Sequence, residues 1–193
     1  MMEQIRSFIA IELPDELKNA ISRLQEQLKA GIRAPVRWVS PENTHLTLKF
    51  LGDIDAAVID DIRNALKEAV LGISAIRLGA EGLGVFPNST RVQVIWVGLT
   101  GEVDKLQKLQ RSIDKELAKL GFPAEKRGFS PHLTIARLRD RATANDRQDT
   151  GRLVEYTEFQ SNLEFSVKSV NLMKSQLTRE GPVYSRLGSA NLG

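Results

Sequence analysis

No cysteine occurs in the 193 residues, which removes disulfide staples, thiolate nucleophiles and cysteine-bound metals together. Histidine is nearly as scarce, with only His45 and His132. A histidine metal site needs three or four ligands, so carboxylates would have to complete it, and no His-x-x-x-His helix is present. No Gly-x-Ser-x-Gly elbow offers a serine nucleophile. No Gly-Lys-Ser/Thr phosphate loop occurs, and Gly82-x-Gly84 is too short for a dinucleotide fingerprint. ATP-driven chemistry is disfavoured, and neither a metal nor a cofactor is expected. No stretch supplies the roughly 18 apolar residues of a membrane span, and Met1–Leu13 lacks the apolar core and cleavage site of a signal peptide. The expectation is a cytoplasmic protein with no membrane partner.

What is present is an ordinary globular composition, 41% apolar and 26% charged, in a chain long enough to bury a substantial core. We read residues 1–193 as one bilobal domain and the chain as a monomer. The net charge is only +3. The basic residues nevertheless cluster, at Arg33 and Arg37, at Lys126 and Arg127, and at Arg137, Arg139, Arg141 and Arg147. A basic surface near the second histidine favours a phosphate-bearing ligand, although each of these residues alone reads equally well as part of a solvated face.

Each histidine opens the same tripeptide, His45-Leu46-Thr47 and His132-Leu133-Thr134, just after a Ser-Pro. On a strand, residues two apart share a face, so each imidazole lies beside a hydroxyl, while Leu46, Leu48, Leu133 and Ile135 face a core. The same parity puts Lys49 with His45 and Thr47, as a solvated rim lysine that could assist a phosphate. Two such histidines across a cleft permit concerted catalysis, one neutral to take a proton and the other charged to give one. A phosphodiester suits this arrangement, since Thr47 and Thr134 can donate hydrogen bonds to its nonbridging oxygens.

The wider pattern repeats too. A strand over Phe8–Leu13 leads into a helix from Pro14 to Gly31, then the His45 strand ending at Gly52, then a helix from Ile59 towards Gly72. A long-looped hairpin, about Ile73 to Leu83 and Arg91 to Leu99, precedes a helix from Val103 to Leu120 and the His132 strand. The polar run Arg139–Gly151 reads as a mobile loop entering a short helix. Strands near Leu163–Met173 and Val183–Leu187 flank a turn at Leu177–Pro182, and the tail from Gly188 reads as frayed. Trp38 and Trp96 read as core. The fold class expected is α+β, with two pseudo-symmetric lobes of antiparallel sheet and outer helices around a central cleft.

With these residues in view, the chain resembles the 2H phosphoesterases, and within them the RNA 2′,3′-cyclic phosphodiesterases long called 2′-5′ RNA ligases. The resemblance rests on His45-Leu46-Thr47-Leu48-Lys49-Phe50-Leu51-Gly52 and Ser130-Pro131-His132-Leu133-Thr134-Ile135-Ala136-Arg137. Arg6–Ile11, Arg91–Gly98, Ser175–Thr178 and Gly181–Tyr184 support it along nearly the whole chain. It implies a bilobal fold and hydrolysis of an RNA terminal 2′,3′-cyclic phosphate to a 2′-phosphate, with reversible ATP-independent 2′-5′ joining as a second activity. It also implies His45 as proton donor, His132 as proton acceptor, and Thr47 and Thr134 as phosphate holders. Arg137 and Phe50 are implied as phosphate and base contacts, and both stand at odd offsets that strict alternation places on the opposite face unless a bulge intervenes. A small cyclic phosphate such as that of ADP-ribose remains an alternative substrate, and a module that binds RNA ends without turnover a non-enzymatic one.

Overall fold

The computed structural model describes residues 4–124, 128–179 and 181–193. Lys126 and Arg127, Met1–Glu3 and Glu180 lie outside them. The long helices form where the apolar period is 3.6. In α1 (Asp15–Gly31) the stripe Leu17, Ala20, Leu24, Leu28 is buried, with Asp15 and Glu16 in the first turn and Lys29 in the last, as the helix dipole favours. In α3 (Val103–Ala118) the stripe Leu106, Leu109, Ile113, Leu117 repeats it at the same spacing.

Among the described residues nine strands form two antiparallel sheets. In the first, β3 (His45–Asp55), β1 (Gln4–Glu12), β8 (Ser169–Thr178) and β9 (Gly181–Asn191) lie in that order. In the second the order is β2 (Val36–Trp38), β6 (Leu133–Leu138), β5 (Val94–Gly101), β4 (Ile76–Phe86) and β7 (Gln160–Val167). With α2 (Ile59–Ala69) and α4 (Ala144–Glu155), and with β2 and β4 set aside, the chain order reads β1-α1-β3-α2 and then β5-α3-β6-α4, two passes of one plan. The long helices are exchanged between the passes. α1 follows β1 of the first sheet and packs on β7 of the second, whereas α3 follows β5 of the second and, besides touching β4 there, reaches β3 of the first. Leu46, Leu133 and Ile135 have no exposed surface. Burial of each such side chain contributes roughly 1.5–3 kcal/mol, which anchors the face of each motif strand that points away from the histidines.

The α+β class and the paired lobes are as expected, and several boundaries are not. The His45 strand runs past Gly52, because Gly52 takes φ +75° and lets β3 bulge and pair on as far as Asp55. The span Leu163–Met173 is two strands in different sheets, β7 and β8, with Lys168 between them. The three-residue β2 has too few residues to show a period in the sequence. The tail is paired: β9 continues to Asn191, and Gly193 N–H donates to Ile73 O at 2.9 Å. The short helix expected after the loop from Arg139 is α4, which takes in most of that polar run and starts from a capping box in which Thr143 and Asp146 bond each other's backbone N–H. It buries only Thr150, Gly151 and Val154, so it carries little apolar period to find. Among the described residues no helix is long and apolar enough to cross a membrane.

A Thr143→Ala variant removes the cap acceptor and is expected to lower unfolding free energy by about 1 kcal/mol, read as a reduced urea midpoint at unchanged slope.

Candidate active site

The two histidines are held alike. His45 is the first residue of β3, and its Nδ1 lies 2.7 Å from the carbonyl of Asn43. His132 immediately precedes β6, with Nδ1 2.7 Å from the carbonyl of Ser130. A carbonyl only accepts, so Nδ1 carries the proton in both rings and the neutral imidazole keeps its lone pair on Nε2. Aromatic walls fix the ring planes. His45 stacks on Phe8 with centroids 4.8 Å apart and meets the edge of Tyr184 at 5.2 Å. His132 stands edge-on to Phe86 at 5.0 Å, with Trp96 at 6.2 Å.

Trp96 is therefore not simply core. It is half-buried beside His132, and its Nε1–H is buried without a hydrogen-bond partner among the described residues. Gly84 is its cross-strand neighbour, and a Cβ there would overlap the indole, so the glycine makes room for the wall. Trp38, half-buried under the Lys29 ammonium, stays outside this lining.

Beyond each threonine the alternation breaks. In β3, Ile9 pairs with Lys49 and Ala10 with Thr47, which leaves Leu48 as an extra residue. In β6, Ile95 pairs with Ala136 and Trp96 with Thr134, which leaves Ile135 extra in the same way. Two successive residues then point into the core in each strand, Leu48 with Lys49 and Ile135 with Ala136. Phe50 and Arg137 consequently return to the side of the histidine and threonine. Phe50 is 63% exposed and lies 6.4 Å from the Phe8 ring. Lys49 is the correction: only 3% exposed, it is neither at the rim nor beside the histidine. Its ammonium donates to Asp114 Oδ1 at 2.6 Å and to the Pro123 carbonyl at 2.7 Å, since a buried charge needs an opposite charge and filled hydrogen bonds.

The electrostatics bring both halves to one place. Strands β3 and β6 approach each other. Burial raises the Tyr184 hydroxyl above its ordinary pKa, and the positive charges of Arg137, Arg37 and Arg6 oppose that shift. Arginines from both sheets thus act on a ring that touches His45. None of the three has an ion-pair partner among the described residues, although Arg37 and Arg137 face each other across β2 and β6. Like charges so placed repel unless an anion joins them. Burial also lowers the His45 pKa below 6.5, opposed by the Asn43 carbonyl and by Glu12. Glu12 is itself held by Asn171 and Arg186. The Thr47 and Thr134 hydroxyls bond no protein group among the described residues, which leaves them free for a ligand. Arg147 instead binds the carbonyls of Val92 and Arg139 and braces α4. Among the described residues no cluster of three His, Asp or Glu side chains could hold a metal.

The profile of the LigT-like phosphoesterases matches the chain twice, over residues 11–96 and 97–184, one match for each His-x-Thr. The chain belongs to this family. It is 35% identical over 185 residues to the RNA 2′,3′-cyclic phosphodiesterase of Methanothermobacter thermautotrophicus, covering 94% of this chain and 96% of that protein. The enzyme of the same name from Aquifex aeolicus is 33% identical, with both chains covered completely. The crystal structure of TT0787 of Thermus thermophilus superposes with a TM-score of 0.78 at 26% identity, over 97% of this chain and 98% of that one. E. coli LigT complexed with 3′-AMP shares the fold, with a TM-score of 0.77 at 23% identity and coverage of 98% and 99%.

The direction of the His45 shift fixes its effect on stability. Its pKa is lower in the folded chain than in the unfolded one, so the unfolded state binds the proton first as pH falls. The stability that neutral His45 contributes is complete above about pH 6.5 and is lost as pH drops through the folded-state value. Urea unfolding between pH 5 and 8 should show this slope in the native protein, and a His45→Gln variant should lack it.

Proposed function

We propose that this enzyme hydrolyses the 2′,3′-cyclic phosphate at an RNA end to a 2′-phosphate, with residues 1–193 acting as one bilobal domain. The observation that carries the reading is the duplicated unit of a Nδ1-anchored imidazole with a threonine hydroxyl that bonds no protein group among the described residues, set among arginines without a counter-ion among those residues. In this reading neutral His132 takes a proton from water through Nε2 as the water oxygen bonds to phosphorus. The bond to the 3′-oxygen breaks on the opposite side, and protonated His45 delivers a proton to that oxygen. The products are a 3′-hydroxyl and a 2′-phosphate, and the two histidines exchange protons with solvent to reset. Thr47 and Thr134 hold the nonbridging oxygens, Arg137 adds a bidentate contact, and Phe50 offers a face to the terminal base. A 5′-hydroxyl in the place of water would yield a 2′-5′ linkage without ATP. The curated relatives named for this hydrolysis support the assignment.

Charge favours an RNA end over a free cyclic mononucleotide. The cyclic phosphate carries one negative charge, whereas the cleft offers Arg6, Arg37 and Arg137 as well as the protonated histidine. Each further phosphodiester of an RNA strand supplies one more anion.

An oligonucleotide ending in a 2′,3′-cyclic phosphate, incubated with a chelator and without ATP, should yield only the 2′-phosphate. Bound but unchanged substrate would make the protein an end-binding module instead. Alanine at His45 or at His132 should each lower turnover by about 10²- to 10⁴-fold. Sulfur in place of the leaving 3′-oxygen needs no proton, so it should rescue His45→Ala and leave His132→Ala inactive.

The pH profile should be bell-shaped. The limb that reports His45 should lie below pH 6.5 in kcat/KM, where the enzyme is free, and should move to higher pH in kcat, because bound phosphate stabilises the imidazolium.

Arg37→Ala should raise KM for the oligonucleotide and reduce its salt slope by about 1, with a cyclic mononucleotide unaffected. An equal loss on both substrates would assign Arg37 to the reacting phosphate, and faster turnover of ADP-ribose cyclic phosphate than of RNA would assign the enzyme to small substrates.

A further inference from the structure

The two bulges have matching supports, and each comes from the helix of the other pass. In β6, the carbonyl of the extra residue Ile135 accepts from Val39 N–H at 2.9 Å and from Gln25 Nε2 at 2.9 Å. Gln25 lies on α1, is 2% exposed, and also donates to the Val39 carbonyl at 2.7 Å. In β3, Lys49 follows the extra residue Leu48 and is held by Asp114 of α3, which Gln110 Nε2 steadies at 2.8 Å. Gln25 and Asp114 occupy equal positions in their apolar stripes, each one residue after the third member, Leu24 or Ile113.

Both contacts discriminate between registers. Removing the extra residue from the pairing of β3 would swing Lys49 towards the cleft, turn Phe50 into the core, and leave Asp114 without its counter-charge. The same slip in β6 would bury Arg137 and carry the Ile135 carbonyl away from a buried amide that has no water to turn to. The penalty in each case falls on a helix that precedes the opposite motif in the chain.

We infer that Gln25 and Asp114 are positioning residues for the reaction: Gln25, on the helix before the His45 motif, keeps Arg137 in the cleft, and Asp114, on the helix before the His132 motif, keeps Phe50 there. The kinetic consequence rests on the phosphodiesterase reading, whereas the register itself does not.

The test uses Gln25→Leu and, to avoid stranding one buried charge, the paired variant Lys49→Met with Asp114→Leu. With adenosine 2′,3′-cyclic phosphate, Gln25→Leu should raise KM as far as Arg137→Ala does, with a smaller effect on kcat. It should add nothing in an Arg137→Ala background and add fully to Phe50→Ala. The paired variant should behave oppositely, merging with Phe50→Ala and adding to Arg137→Ala. A merely structural role would instead lower thermal stability and leave KM unchanged. Folded Gln25→Leu with native KM, or equal coupling to both backgrounds, overturns the assignment. Cross-strand nuclear Overhauser contacts of Thr134 with Trp96 and of Ala136 with Ile95 report the β6 register without substrate. If the native protein turns over no cyclic phosphate, the functional reading fails alone. An unshifted register in folded Gln25→Leu would still remove Gln25 from the positioning role, and a shifted one would sustain it.

Discussion

A strand alternates its faces every residue, and a cleft that needs a histidine, the threonine two places on and a further side chain five places on cannot be drawn from an unbroken strand. The extra residues Leu48 and Ile135 resolve this constraint. Before the bulge, the histidine and threonine of each strand look into the cleft, and after it Phe50 and Arg137 do so again. A bulge leaves a residue unpaired and strengthens local twist, so it persists only where neighbours make the regular register worse. In β3 the neighbour is a buried ion pair, and breaking such a pair by removing one partner costs about 3–5 kcal/mol. In β6 it is a buried amide, for which a lost partner costs about 1–3 kcal/mol. The two supports differ in chemistry because the residue just past each bulge differs, Lys49 in one strand and Ala136 in the other.

Exchange of the long helices makes the two passes interdependent. α1 and β3 are neighbours in the chain, yet the buried side chain of α1 serves β6. α3 likewise serves β3 while preceding β6. Neither half of the sequence therefore contains everything that shapes its own motif strand. This couples the two His-x-Thr units through packing, and it keeps the charges of Arg37 and Arg137 close to the ring of Tyr184 on the opposite sheet.

The parts of this arrangement that were legible in the sequence are those with a period. The apolar stripes of α1 and α3 follow 3.6 residues, and the two His-x-Thr units announce a shared face by their spacing and by standing alone as the histidines of the chain. A bulge of this kind has no residue signature, since Leu48 and Ile135 are ordinary strand residues, so the burial of Lys49 could not be read from parity. The offset of Phe50 and Arg137 was the one signal, because two residues implied for the same face stood at the same wrong parity. Trp96 was hidden for a different reason. An indole on a strand next to core positions reads as core, and only Gly84 opposite it, too isolated to interpret alone, marks the space that the ring uses. The short helix entered from the Arg139 run was expected, but its start was not legible, because Thr143-Ala144-Asn145-Asp146 carries a cap signal and introduces almost no apolar stripe, and its Gly151 lies close against the backbone of Ser89.

The surroundings of the two histidines differ more than their motifs do, and the difference bears on which partner gives the proton. His45 sits between Phe8 and Tyr184, where burial disfavours its charged form, although Glu12 and the Asn43 carbonyl oppose this. A proton donor in such a place is harder to charge than a solvated imidazole. The standing positive charge of the cleft comes from arginines, and the imidazolium forms more readily when a phosphate anion arrives. Charging of His45 is thereby tied to occupancy of the site. Water that enters with no phosphate meets a ring whose charged form burial disfavours, so the proposed acid is favoured by the substrate whose leaving oxygen it serves.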